Sequence, residues 1–354
     1  MTRRVVVVSG GASAEHEVSV ASGRDVSAAL AGIAGHSVLE VHVDRDGLWH
    51  VGSPAAPALL FGEVLDEMPQ DCVVFPALHG GWGEGGGLQR ELERRGIPFV
   101  GSGSDASARA LSKLECLRLC AAAGVGVIPT WSVSRTRYAA DPDLVSGMVR
   151  RSFDGDLVVK PDTGGSSIGV RMVGHGESLR EAFAEAFAHS GVALVQPRVT
   201  GEEVSVGVWT DGGSAQATGA SRLHYPAGAD AAGFTYAHKY EGGGAVLEIP
   251  ATFPEHVLVA LRDAALRCFD ALGSRGLARI DFFVDAQGRI LLNEVNTIPG
   301  LRRESHFPRL VAAAGTPYER LVALLVEDAV TTASREREAR RRVARSAAAT
   351  TGAA

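Results

Sequence analysis

Over its first hundred residues the chain alternates short apolar runs with segments of helical pattern, and this order limits the possible folds more than any other feature. "RRVVVVSG" (3–10) is followed by a helical stretch after "SAEHE", then "HSVLEVHV" (36–43), "DCVVFPAL" (71–78), a helix through "GLQRELERR" (87–95) and "IPFVG" (97–101). Strand–helix alternation predicts a parallel α/β layer. Ligands of such sheets collect beyond the carboxyl ends of the strands. Two Gly-rich loops lie there, "GGASAEHE" (10–17) and "HGGWGEGGG" (79–87), and neither matches a Walker or dinucleotide fingerprint.

A second constraint lies at residues 278–300, "ARIDFFVDAQGRILLNEVNTIPG". Two apolar runs joined by the turn-forming "DAQG" read as a β-hairpin. Asp281 interrupts the first run, and Glu294 and Asn296 close the second. Residues two apart share one face of a strand, and Asp281 on the neighbouring strand can meet them there. Buried charge is costly unless paired or metal-bound. Two carboxylates and an amide oxygen form a hard-oxygen set suited to Mg²⁺; a solvated hairpin end is the other reading.

A chain of 354 residues is expected to form two or three domains. The run after the first arginines is only about four apolar residues long, shorter than the roughly 7–15 of a signal-peptide core, so it reads as a buried first strand. No run is long enough to span a membrane, and the net charge of −6 argues against general nucleic-acid binding. Cys72, Cys116, Cys120 and Cys268 lack the spacing of a paired or metal-binding motif and read as packing residues in a reduced, cytoplasmic protein.

Of 35 basic residues only three are lysines: Lys113, Lys160 and Lys239. A drift towards arginine would remove any lysine that arginine can replace. The survivors are candidates for phosphate contact in tight pockets, where a compact ammonium is needed; chance survival on the surface is the alternative. Lys113 falls in a helical pattern starting near residue 103, and Lys160 ends the strand "DLVVK" (156–160). The following "DTGGSSIG" (162–169) reads as a flap whose backbone N–H groups can cradle phosphates, or as a plain polar hairpin. Lys239 lies in a long loop with Gly and aromatic residues, of the kind that serves as a lid. The last stretch reads as one helix with a solvated basic end.

Taken in order, "GGASAEHEVS", "FPALHGGWGE", "GIPFVGSG", "VVKPDTGGSSIGV", "HKY" and "GLARIDFFVDAQGRILLNEVNTIPG" resemble the D-alanine–D-alanine ligases of the ATP-grasp superfamily, from about residue 4 to residue 330. The resemblance implies a three-domain ATP-grasp architecture with an N-terminal parallel α/β domain at 1–102, a central subdomain at 103–190 and a C-terminal subdomain at 191–333. The segment 334–354 is expected to be a frayed helix end and disordered tail. It implies an ATP-dependent ligase, with D-alanine as substrate and two Mg²⁺ (or Mn²⁺) ions on Asp281, Glu294 and Asn296. It also implies a homodimer acting in peptidoglycan synthesis. By the same resemblance Glu15 holds the first substrate's ammonium, with Ser166 and Tyr240 as hydrogen-bonded companions. Arg279 and the backbone N–H of Gly300 meet the tetrahedral oxyanion, and His79 lies near the first substrate. Lys113, Lys160 and Lys239 meet the phosphates. Gln196 meets the adenine, Glu203 the ribose, and Ser305 the second substrate's carboxylate.

This chain departs from the family pattern at four places. Gly85 replaces an acid of "GEDG", Ser112 stands where Asp usually precedes the first lysine, Gln196 replaces an acid, and His306 replaces Leu or Met beside the second substrate. These departures keep open a different acceptor, such as D-serine or D-lactate, and a catalytically silent binding module.

Overall fold

Val5, Val6, Val7 and Val8 are each at most 1 % exposed, as a strand covered on both faces requires. In the computed structural model they form the inner strand of the first of three sheets. The structure describes residues 2–69, 71–224 and 246–351, with side chains to 339 and at 341 and 342. The first sheet comprises β1 (Arg3–Gly10), β2 (His36–Val43), β3 (Trp49–Val51) and β4 (Cys72–Pro76), in the order β3-β2-β1-β4. β2 and β4 run parallel to β1, and β3 turns back antiparallel along the edge. "IPFVG" contributes only a bridge from Phe99 to Val74 instead of the expected strand. Pro98 has no N–H to extend a ladder, although its carbonyl accepts from Val74.

The second sheet is antiparallel, with β5 (Trp131–Ser134), β6 (Leu157–Pro161), β7 (Arg171–Val173) and β8 (Val192–Pro197) in the order β5-β8-β6-β7. The third holds β9 (Gly201–Asp211), β10 (Ser214–His224), β11 (Val246–Glu248), β12 (Leu277–Asp285) and β13 (Ile290–Asn296) in the order β11-β10-β9-β12-β13. One face of this sheet packs Val204, Val206, Ile280 and Phe282 against Cys116 and Cys120 of the helix Lys113–Ala122 and Leu261 and Phe269 of the helix Glu255–Leu272.

Two features of the structure lie across the division expected at 1–102, 103–190 and 191–333. β8 belongs to the second sheet, so that unit runs to Pro197. The helices Ser104–Leu111 and Lys113–Ala122, expected in the central unit, pack into the third sheet's core. The stretch from residue 334, expected as a helix end, continues a longer helix. One helix runs from Tyr318 to Thr351, with Arg337 donating to the Gly96 carbonyl at 2.8 Å and Glu336 paired with Arg275 at 3.0 Å. Its earlier turns place Leu321 and Leu325 among Val5, Leu30 and Phe75 of the first unit and Trp209 and Leu277 of the third. A shared apolar core therefore fixes these two units against each other. Among the described residues no helix is long and apolar enough to cross a membrane.

Candidate active site

β12 and β13 pair so that Asp281 stands directly opposite Glu294, and Arg279 opposite Asn296. Like charges in that relation destabilise a sheet unless cations attend them. Arg279 is one such cation: its Nε and Nη2 donate to the two oxygens of Asp281 at 2.8 and 2.7 Å, and Asn296 Nδ2 donates at 3.1 Å. Asp281 is 2 % exposed. Burial pushes its carboxyl up, but the charge and hydrogen bonds of Arg279, with help from His306 and Ser205, hold it down at about 2.

Lys113 is the second cation. Its Nζ donates to the Gly164 carbonyl of the flap at 2.5 Å and lies 4.0 Å from Glu294. The lysine starts a new helix because the chain breaks at Ser112, where the sequence predicts continuous helix. Ser112 caps the next turn by accepting from the Glu115 N–H, and its hydroxyl donates to Asp162. Asp162 also accepts from the Leu114 N–H at 2.8 Å, tying the flap's root to the Lys113 helix. Lys160, 6 % exposed, donates to Asn293 Oδ1 at 3.1 Å. The ladder skips a residue between Asp281 and Phe282, and Asn293 is the extra residue of that bulge. A bulge re-aims a side chain, so strand alternation alone does not reveal this contact.

The flap itself is strained. Ser166 and Ser167 have φ of 53° and 58°, left-handed values that cost energy for residues with a Cβ. Ser166 Oγ donates to Glu15 Oε1 at 2.5 Å, joining residues 151 positions apart. Glu15 opens the helix His16–Ala31, and its other oxygen would lie 3.1 Å from any Cβ at Gly80. Gly80 has φ +70°, so that position excludes side chains on both counts. Ser13 Oγ donates to the His79 carbonyl at 2.7 Å, holding the two Gly-rich loops together.

His79, expected near the first substrate, is buried. Nδ1 lies 2.8 Å from the Ile298 carbonyl and Nε2 lies 3.2 Å from Ser22 Oγ. A carbonyl only accepts, so Nδ1 carries the proton and Nε2 accepts from Ser22. Burial, followed by the charge of Arg279, lowers the pKa of this ring against the pull of Glu15. His79 therefore braces the "NTIPG" segment.

Ser305 precedes the helix His306–Ala313, and its hydroxyl would lie 3.2 Å from a Cβ at Gly300, which brings these two expected residues together. His306 Nε2 lies 2.5 Å from Ser221 Oγ on β10, and the ring is near enough to Asp281 to help hold its carboxyl down. Glu203 lies on β9 in register with Phe283 and Leu223. Gln196 is buried and donates to Thr130 Oγ1 at 2.8 Å. Lys239, Tyr240 and the lid expected around 233–244 lie outside the described residues. Among the described residues no group of three or more His, Cys, Asp or Glu side chains is set to hold a metal; the expected set has two carboxylates and one amide.

Sequence reading missed two site residues besides Asn293. Asp162 was legible as flap but not as the anchor of Ser112. Glu84 closes the four-residue helix Gly81–Glu84, and its Oε2 accepts from the Gly80 N–H at 2.9 Å. Burial, then the charges of Glu15 and Glu294, push its carboxyl up to about 7.

Family models give these positions a context. One described as "D-ala D-ala ligase N-terminus" matches residues 4–102, and one described as "D-ala D-ala ligase C-terminus" matches residues 119–327. The chain belongs to the D-alanine–D-alanine ligase family. The D-alanine–D-alanine ligase of Chlorobaculum tepidum is 34% identical, covering 91% of this chain and 95% of that relative. The Deinococcus radiodurans ligase is 36% identical, with 92% and 98% covered. Among solved structures, the D-alanine-D-alanine ligase from Coxiella burnetii superposes with a TM-score of 0.82 at 25% identity, covering 97% of this chain and 99% of that one. The VanG D-Ala:D-Ser ligase from Enterococcus faecalis gives 0.80 at 25% identity, with 93% and 100% covered. The fold is accordingly the ATP-grasp fold that the sequence motifs imply.

The Arg279–Asp281 pair sets a stability expectation for this family member. Asp281→Asn removes the charge that Arg279 engages, and breaking a buried pair costs about 3 kcal/mol. The carboxyl sits below its ordinary value of about 3.9. Its contribution is therefore present above that value and disappears as pH falls towards about 2. Urea unfolding without nucleotide or metal should show the variant's deficit at pH 7 shrinking steadily below pH 4. A deficit independent of pH would contradict the ion-pair account.

Proposed function

We propose that this protein is an ATP-dependent ligase that joins two D-alanine molecules through an acyl phosphate, giving D-alanyl-D-alanine for peptidoglycan. The observation that supports this most is the meeting of distant segments around one space. Glu15 of the first unit touches Ser166 of the flap, and the flap's Gly164 touches Lys113, which lies against Glu294 of the third. Family membership and relatives named for that activity support the same reading.

In the first step a carboxylate oxygen of one D-alanine attacks the γ-phosphorus of ATP, and ADP leaves. Glu15, steadied by Ser166, holds that substrate's ammonium. Lys113 and Lys160 face the phosphates, joined by Lys239 from outside the described residues. In the second step the neutral amine of another D-alanine attacks the acyl carbon, its proton having gone to solvent. The tetrahedral oxyanion is met by Arg279, whose guanidinium Asp281 already fixes, and by the Gly300 N–H. The bonded nitrogen then gives a second proton to solvent, and phosphate departs with the former carboxylate oxygen. The flap, with Tyr240 and the lid, excludes water from the acyl phosphate.

Asp281, Glu294 and the Asn296 amide oxygen fit Mg²⁺ by donor chemistry, since Asn296 turns its nitrogen to Asp281 and opposed carboxylates call for a cation. Two ions are expected there, with Mn²⁺ as a substitute. When bound, Mg²⁺ offsets the repulsion between substrate carboxylate and triphosphate. Gln196 and Glu203 take the adenine and ribose, and Ser305 the acceptor's carboxylate. A homodimer and a cytoplasmic location follow from the same family reading.

His306 supports a second reading, with D-serine as acceptor. Its bond to Ser221 places a polar pair where the family usually has Leu or Met, and one structural neighbour is named as a D-Ala:D-Ser ligase. Product mass spectrometry with D-alanine alone and in competition with D-serine and D-lactate tests both. D-alanyl-D-alanine as the main product supports the first reading, and a dominant D-alanyl-D-serine product supports the second. ATP binding without any ligated product would leave only a silent binding module.

A further inference from the structure

Ser19, Ser22 and Asp25 recur at three-residue spacing in the helix His16–Ala31, so they run along one side of it. Each accepts from a backbone N–H. Ser19 Oγ takes the Gly10 N–H at 2.7 Å and donates to the Ala77 carbonyl at 2.6 Å, which ties the helix to its own unit. The other two reach the turn that follows β13: Ser22 Oγ accepts from the Leu301 N–H at 3.1 Å, and Asp25 Oδ2 from the Arg303 N–H at 2.9 Å. Ser22 is 0 % exposed, and its hydroxyl also lies 3.2 Å from His79 Nε2. His79 in turn donates from Nδ1 to the Ile298 carbonyl at 2.8 Å. The backbone from Ile298 to Leu301 is thus held at both ends by two side chains bonded to each other, with Gly300 between.

We infer that Ser22 is a positioning residue for ligation, holding the Ile298–Leu301 backbone so that the Gly300 N–H meets the tetrahedral oxyanion. The inference rests on the ligase reading above. A serine hydroxyl has one proton to give and lone pairs that accept. His79 spends its Nδ1 proton on Ile298, so the Ser22 proton goes to Nε2 and a Ser22 lone pair takes the Leu301 N–H. Without the hydroxyl, His79 Nε2 and the Leu301 N–H both lose this partner, and the clasp opens at its centre. Glu15 opens the same helix, about 10 Å from Ser22 along the axis at about 1.5 Å per residue. One rigid element therefore carries both the carboxylate that holds the first substrate's ammonium and the hydroxyl that sets the donor for the second step. An oxyanion donor is useful only when it is preorganised, and loss of one such donor costs about a hundredfold or more in turnover.

Rapid-quench kinetics of the full-length protein with ATP, Mg²⁺ and D-alanine test this by timing ADP and dipeptide separately. The Gly300 donor acts only after ADP has formed. In Ser22→Ala, ADP of the first turnover should therefore appear within about twofold of the parental rate, while dipeptide appears about 30-fold more slowly, short of complete loss of a donor. Ser22→Cys nearly preserves size but offers a weak acceptor, and should slow dipeptide about tenfold with the ADP step again unaltered. If Ser22→Ala does not fold, Ser22→Cys decides the matter by the same two rates. ADP and dipeptide slowed alike would overturn the inference, because a merely structural role disturbs both steps. A parent enzyme that forms no dipeptide would overturn the ligase reading as well. Parental dipeptide synthesis with unaffected variants would overturn this inference alone.

Discussion

Replacing Glu294 with glutamine is expected to lower turnover at least about a hundredfold, the several kcal/mol that electrostatic stabilisation of charge in a transition state supplies. Shape is nearly unchanged, so the effect isolates charge. Glu294 faces Asp281 across the ladder and lies 4.0 Å from the Lys113 ammonium, at the meeting of hairpin and flap. Without its charge the donor set retains only Asp281 as a carboxylate. The same substitution removes a like-charge opposition, which costs a sheet stability. Thermal unfolding in the absence of metal should therefore show a midpoint no lower than the parent's. Activity near the parental level at saturating Mg²⁺ would remove Glu294 from the metal set. A collapsed midpoint would mean that its role is structural.

Lys160→Arg keeps the charge and is still expected to reduce turnover about tenfold or more, with a raised KM for ATP. Lys160 ends β6 with its ammonium on Asn293 Oδ1, almost wholly enclosed. A guanidinium is planar, wider and longer, and forcing extra volume into a packed site costs about 1–3 kcal/mol. One to two kcal/mol corresponds to about a tenfold change in rate or affinity. ATP kinetics of the variant measure this. Parental constants would mean that lysine survived here by chance, and that its rarity in an arginine-rich chain carries no functional information.

The hairpin bearing Asp281, Glu294 and Asn296 was legible because a strand alternates its faces, and acids at the end of apolar runs are conspicuous. The partner of Lys160 was not, since Asn293 reaches it through a bulge and the alternation gives no sign of one. The break before Lys113 did have a signal. "SKLE" at 112–115 is the Ser-x-x-Glu pattern of a helix start, and Ser112 caps as that pattern predicts. It was hidden by helical periodicity on both sides. β8 was readable as a strand, but its pairing with β5 and β6 depends on contacts distant in sequence. Glu84 stood among glycines that drew attention to backbone freedom, and only the folded chain sets it where the charges of Glu15 and Glu294 act on it. The contact between Glu15 and Ser166 was expected from family resemblance, because spacing alone does not bring residues 151 apart together.

In the proposed reaction an acyl phosphate links ATP cleavage to peptide bond formation. Following oxygen atoms tests it most directly. D-Alanine carrying ¹⁸O in its carboxylate is incubated with the full-length protein, ATP and Mg²⁺, and the phosphate and dipeptide are analysed by mass. If the carboxylate attacks the γ-phosphorus and phosphate later departs from the tetrahedral carbon, one ¹⁸O should appear in inorganic phosphate for each dipeptide formed. Dipeptide or ADP produced with no label in the phosphate would contradict the account.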